Sequence, residues 1–327
     1  MEGNFTFTGD FNTPAVAAVL TVEMILALIA NGVVLSITLY QRKSWKQSST
    51  IFFTSLILAH LVLNLLYLPF TVIGFAAGEW IFGSTDQVKR GFCKFNAYIL
   101  WYSILNIIMM LAAISVDRFL FIVKPHLHKR FMSQPKVALT LTIAIWLLAA
   151  VLSSTPFFGL GEFGYETWFG GCLPLWTTIE FTVYTIIVCL VIIFIISLTS
   201  IWTFCFARRF LTDQSRLTTE NNVYYSSKKQ RLIGIFGAMS LVYLLCFSPG
   251  IISAFLTPLT LVPYEVIVLV IVTIELLTIA GPLVQSYFRP DINKVLVSLY
   301  TKMRRLFRRN MQSVCSNREL DTKISYV

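Results

Sequence analysis

Seven long apolar runs dominate this chain. They cover roughly residues 15–40, 50–77, 93–122, 136–158, 178–206, 232–257 and 263–288. Each reaches the about 20 residues that a helix needs to cross the hydrocarbon of a bilayer. In hydrocarbon every backbone N–H and C=O must pair within the protein, which leaves helices and closed barrels. A barrel would alternate apolar and polar residues in segments of about 10, and no such alternation marks these runs. Only 13% of residues are charged, against about 25% in soluble domains. The expected fold class is therefore an all-α membrane protein, a seven-helix transmembrane bundle. The expected division is a polar segment 1–14, the bundle at 15–288, a surface helix at 289–309 and a tail at 310–327. Residues 1–14 carry Glu2 and Asp10 and no basic leader region, so the first run is expected to act as the targeting signal.

Charge orients the bundle. The segments after runs 1, 3, 5 and 7 hold 23 of the 26 Lys and Arg residues; Lys89, Arg90 and Lys94 lie on the other side. The positive-inside bias places the N-terminus outside the cell and the C-terminus in the cytoplasm, as expected for a multi-pass protein of the plasma membrane. The net charge of +10 is accounted for by these flanking, lipid-facing charges, and nucleic acid is not an expected partner. The sequon Asn4-Phe5-Thr6 falls on the outer side. Of six cysteines, only Cys93, at the top of run 3, and Cys172, in the loop before run 5, fall on the oxidising side, a plausible disulfide.

At the inner end of run 3 stands "DRFLFIVKP", Asp117 to Pro125. It resembles the Asp-Arg-Tyr motif and following loop of rhodopsin-like (class A) G protein-coupled receptors. Arg118 lies 25 residues after Cys93, about seven helical turns. Further landmarks follow in order: Asn31 of run 1, "LILAHLVLNLLYLPF" in run 2, Trp146 and Pro156 of run 4, "CFSP" at Cys246 to Pro249, and "GPLVQ" at Gly281 to Gln285. The resemblance covers about residues 15–305. It implies an extracellular ligand, a heterotrimeric G protein and arrestin as partners, and no cofactor. It assigns coupling and switch roles to Asp117, Arg118, Phe119, Pro125, Phe247, Pro249 and Pro282.

In this reading Asp117 holds Arg118 at rest, and Arg118 turns to the partner when the inner helix ends part. Pro249 and Pro282 kink their helices. Phe247 replaces the family's usual Trp. Ionisable residues inside membrane runs are functional candidates. Four occur: Glu23, His60, Glu180 and Glu275. His60 stands where the family has a sodium-binding Asp, and its helpers would be Ile107 and Gly281, neither able to ligate a cation through its side chain. A neutral His60 bonded to Asn31 or to the run 7 backbone is expected. Glu275 is expected at the pocket floor, and Glu23 and Glu180 at the solvated rim.

The resemblance also places Leu100 where amine receptors have an Asp. Run 7 has no Lys for retinal, and Gly250 to Phe255 offers no base for phosphate. The pocket candidates Leu100, Trp101, Phe247, Ile251, Phe255 and Glu275 suit a small hydrophobic molecule or an apolar peptide end. Gln285 replaces the family's Tyr, and the inner end of run 6 has Lys228, Lys229 and Arg231 but no acid. With neither tether nor sodium site, raised basal activity is expected.

In the tail, Ile292, Leu296, Leu299, Met303 and Leu306 at helical spacing, with basic residues between, read as an amphipathic helix on the lipid bilayer. Cys315 is a palmitoylation candidate. The terminal Ser325-Tyr326-Val327 resembles a PDZ-domain ligand. Alternative functions are a non-coupling scavenger or partner receptor and a transporter, though no repeat relates the halves. The chain carries neither a metal-ligand cluster nor a nucleophile beside a base, so enzyme chemistry is not expected.

Overall fold

The computed structural model describes residues 5–41, 45, 47–215, 237, 241–243, 245–250, 252, 264–288, 292–302 and 304–305. Asn4, Ile251, Phe255, Cys315, Ser325, Val327 and the Lys228–Arg231 stretch lie outside the described residues.

Span 1 is the helix Thr13–Tyr40. Asn12 caps it, its side chain accepting from the Ala15 N–H at 3.1 Å, and Pro14 sits in the first turn. Span 2 runs from Ser48 to Ala77. Its helix widens to a π turn over Leu63–Tyr67, just ahead of Pro69. Proline lacks an N–H and crowds the carbonyl four residues back, so the wider turn relieves that clash. The span stops at Gly78, in the left-handed region at φ 69°.

Span 3, Asp86–Val123, starts seven residues before the expected boundary at 93. Thr85 caps it by accepting from the Val88 N–H, and Asp86 favours the first turn. Span 4, Pro135–Ser153, ends short of the expected 158. Pro156 and then Gly159, at φ 89°, turn the chain through a short 3₁₀ segment, Thr155–Phe158. Span 5 continues unbroken from Ile179 to Ser215, beyond the expected 206. Five described helices are long and apolar enough to cross a membrane. Span 7 is the helix Tyr264–Phe288 with Pro282 inside it. The described part of span 6 includes the helical residues 245–250.

Inside the spans, hydroxyl groups turn back on their own helix. Thr21, Thr54, Thr142 and Thr203 each donate to the carbonyl four residues earlier. This satisfies a polar group with no water at hand. Other polar groups tie the spans together. Trp146 of span 4 donates its indole N–H to Ser55 of span 2 at 2.7 Å. Ser115 of span 3 meets Thr199 of span 5 at 2.6 Å. Span 3 passes through the centre, packing against spans 2, 4 and 5, while span 1 packs along span 7.

One element was not legible in advance. Between spans 4 and 5 the chain forms a hairpin, β1 Glu162–Glu166 and β2 Gly171–Leu175, paired antiparallel with Tyr165 opposite Cys172. The expected disulfide joins Cys172 to Cys93 and pins the hairpin across the end of the bundle. Phe163, Trp101 and Trp80 pack around it as one buried cluster. At the opposite end, helical residues 292–302 follow span 7. There Ile292 is fully buried against Val34, Ile37 and Ile57 of spans 1 and 2, while Leu299 is exposed.

Candidate functional site

Polar side chains buried in the bundle gather at three levels. At the end opposite the hairpin, Asp117 is 0% exposed and Arg118 8%. Asp117 carries three partners. Arg118 Nη2 donates to its Oδ2 at 2.8 Å. Ser48, in the first turn of span 2, donates to its Oδ1 at 2.9 Å. His128 Nε2 approaches the same oxygen at 3.2 Å from the loop after span 3. Because an ionised carboxylate only accepts, that contact requires the His128 proton on Nε2. The exposed Phe121 lies beside both, its ring centroid 5.7 Å from the Arg118 guanidinium carbon and 5.2 Å from the His128 ring. Phe119 instead turns to Trp202 of span 5, ring to ring at 5.6 Å. Pro125 is exposed and opens the short turn Pro125–Leu127 that brings His128 back.

At mid-depth, Asn31 donates through Nδ2 to the carbonyls of Ala27 and Thr278, both at 2.8 Å. Its Oδ1 is left as acceptor for His60 Nδ1 at 3.3 Å. The His60 proton is thereby assigned to Nδ1, and in the neutral ring Nε2 is a bare acceptor. His60 Nε2 has no partner among the described residues. Gly281 makes room for this arrangement. A Cβ there would lie 3.1 Å from His60 Cε1 and 3.1 Å from the Tyr243 hydroxyl. Ile107 is buried and apolar.

Toward the hairpin, Leu100 and Phe247 are half-buried and pack on the central core. Trp101 is buried beneath the hairpin, its ring 6.4 Å from Trp176. Tyr102 packs between Tyr98 and Trp146. Glu275 is 2% exposed, and Glu23 is 7% exposed. The rim position expected for Glu23 is thus corrected: the packing of span 1 along span 7 encloses it. Glu180 is exposed as expected. Ile251 and Phe255 cannot be placed with these residues, lying outside the described segments.

Sequence reasoning missed Ser48 and His128 as partners of Asp117, since nothing in their spacing points to one carboxylate. It also missed residues 5–11, which lie across the hairpin end. Their signal was present: "FTFT" alternates apolar and polar residues with the period of a strand. Phe5 is buried against Tyr165, ring to ring at 5.8 Å. Burial and the nearby Glu79 charge push the Tyr165 phenol up to about 12, so it stays neutral there.

Comparison with known proteins places this geometry. The profile of the 7 transmembrane receptor (rhodopsin family) matches residues 30–284. A high-affinity lysophosphatidic acid receptor of Xenopus laevis is 27% identical over 145 residues, 44% of this chain and 36% of that protein. Galanin receptor type 3 of Mus musculus is 28% identical over 51% of this chain and 44% of its own length. Dopamine receptor 1 of Drosophila melanogaster is 32% identical over 41% of this chain and 25% of its own. The matched part spans less than half of each relative's length. The crystal structure of squid rhodopsin superposes with a TM-score of 0.75 at 18% identity, covering 91% of this chain and 88% of that one. At that identity the likeness speaks for the fold.

Proposed function

Because the chain belongs to the rhodopsin family of seven-transmembrane receptors, we propose that it binds an extracellular ligand and promotes nucleotide exchange on a heterotrimeric G protein. The observation that carries this reading is the buried Asp117–Arg118 pair at the inner end of span 3. One carboxylate there holds span 2, span 3 and the following loop together. Parting the inner helix ends breaks that arrangement and frees a guanidinium, a five-donor group suited to a partner's carbonyls. Such a two-state element is what a ligand at the other end can bias.

The lopsided distribution of Lys and Arg supports an extracellular N-terminus, and the buried Cys93–Cys172 disulfide agrees with an oxidising compartment on that side. The ligand in this reading is a small hydrophobic molecule or an apolar peptide end. In support of an apolar ligand, Leu100 and Phe247 are half-buried apolar side chains on the central core, and Tyr102 stacks on Tyr98 nearby. Exchange on purified heterotrimers of each Gα class, driven by membranes carrying the protein, tests the reading. Exchange above that of protein-free membranes supports it. Uptake of a solute across the same membranes, without exchange, would support the transporter alternative.

Basal exchange in this reading exceeds background and does not respond to sodium. His60, Ile107 and Gly281 present one neutral ring, one apolar chain and no side chain where a cation would need carboxylate oxygen. Replacing sodium by a large organic cation at constant ionic strength is expected to leave basal exchange within error of its starting value. A rise of twofold or more would contradict this account of the core.

A further inference from the structure

A cleft opens at the hairpin end, outside the packed core. Phe157 of the turn after span 4, Glu162 and Phe163 of β1, Thr177 and Thr178 before span 5, and Lys94 of span 3 line about 450 Å³ of space. Its walls are fixed by packing. Phe157 is held by Tyr98 and Phe163, ring to ring at 5.5 and 5.4 Å. Gly161, at φ +88°, lies so close to the buried Phe181 ring that any Cβ would strike it, whereas a Cβ on Gly159 would meet nothing within 4 Å. The chain is pressed onto span 5 at one glycine and leaves open space at the other.

Two opposite charges line this space without meeting. Lys94 and Glu162 both face the cleft, yet the ion pairs among the described residues both lie at Asp117. Beside them stand the Thr177 and Thr178 hydroxyls and the exposed ring of Phe157. That set suits a zwitterion. A phosphate takes charge-assisted bonds from an ammonium and hydroxyls, and a ligand ammonium is drawn to a carboxylate and to an aromatic face.

The surroundings indicate the source of such a group. Phe158 is 85% exposed and Ile179 79% exposed, next in sequence to the cleft residues Phe157 and Thr178. From Ile179 an exposed apolar stripe continues along span 5 through Val183 and Ile187, one helical turn apart. A continuous bare face of this kind marks a contact surface, and at the end of a membrane span the contact is acyl chain. Trp176, exposed beside Thr177, is of the residue type that gathers at headgroup level.

We propose that the cleft holds the headgroup of a zwitterionic phospholipid of the outer leaflet. Its phosphate lies on Lys94, its ammonium on Glu162 and Phe157, and its chains along Ile179, Val183 and Ile187. The proposal uses the membrane orientation argued above and does not depend on G protein coupling.

The test is photo-crosslinking of the full-length protein in nanodiscs. Phosphatidylcholine or phosphatidylglycerol with a diazirine in one acyl chain is added at the same low mole fraction, and crosslinked peptides are mapped by mass spectrometry. Crosslinking to the helix 292–302, at the other end of the bundle, serves as the reference. Relative to it, the choline lipid is expected to label residues 155–187 about fivefold more than the glycerol lipid, the discrimination that about one exposed charge contact supplies. Glu162→Lys should reverse that preference, because two ammonium groups then face the cleft. Lys94→Ala should lower labelling of this segment by both lipids. Lys94 and Glu162 are exposed, so both variants are expected to fold. Glycerophosphocholine, the same headgroup without chains, should not displace the choline lipid even in large excess. Equal labelling by the two lipids in the parent, or a preference that Glu162→Lys leaves unchanged, would overturn the proposal. Displacement by glycerophosphocholine would overturn it too, and would assign the cleft to a soluble zwitterion.

Discussion

Replacing Asp117 with alanine is expected to raise basal G protein activation roughly tenfold or to the assay ceiling, and to lower thermal stability. The reason is the imbalance the change leaves behind. Arg118 is largely buried, its Nη2 bonded to Asp117 and its Nε without a partner among the described residues. Removing one partner of a buried ion pair costs about 3–5 kcal/mol, because the other charge stays uncompensated. Arg118 lies at the end of the bundle opposite the hairpin, so part of that cost is relieved by turning outward, toward the partner proposed above. Ser48 and His128 lose their common acceptor in the same step, and the loop after span 3 is released with Arg118. Asp117→Asn separates the two effects. The amide keeps one acceptor oxygen for Ser48 and His128 but sets an NH2 donor where Arg118 Nη2 donates, losing the charge and that bond while leaving the other two contacts, so an intermediate rise is expected. Basal exchange at matched surface level, read for both variants, checks the order. An Asn variant as active as the Ala variant would place all the restraint in the ion pair.

The second large effect belongs to the disulfide. Cys93→Ser is expected to remove most folded protein from the cell surface and to destabilise what remains by about 2–4 kcal/mol. The bond joins residues 79 apart, so its loss restores much freedom to the unfolded chain. It also frees the hairpin, whose β2 strand holds Cys172 opposite Tyr165, and Tyr165 is the seat of Phe5. Residues 5–11, bonded to the loop after span 2 and to the hairpin tip, and the hairpin should therefore loosen together. Limited proteolysis between residues 159 and 178 on intact cells would show it, as cleavage in the variant and resistance in the parent. Surface expression and protease resistance equal to the parent would mean the hairpin holds by its aromatic packing alone.

Much of this architecture was legible in the residues, because long apolar runs in hydrocarbon have one helical solution each. The ends were less legible. Span 3 begins at Thr85 through a capping bond, and span 4 stops at a Pro-Gly turn, both local signals that apolar length overrides. The hairpin was invisible because "EFGYE" and "GCLPL" are short and pair only across a loop tied to Cys93. The Asp117–Arg118 pair was foreseen from adjacent residues at the end of a run. Its further partners were not: Ser48 lies 69 positions away and His128 beyond a turn. Glu23 was misjudged because depth in the sequence does not reveal which face of span 1 meets span 7. His60 was expected to bond to Asn31 or to the span 7 backbone, and the contact with Asn31 is present.

In the proposed function Arg118 is the group that reaches a G protein when its clasp opens. Arg118→Ala against the parent protein, at matched surface level and across the Gα classes, tests it most directly. Basal exchange above mock is expected in the parent and its loss in the variant, with Asp117→Ala/Arg118→Ala equally silent. Exchange in Arg118→Ala equal to that of the parent would contradict it.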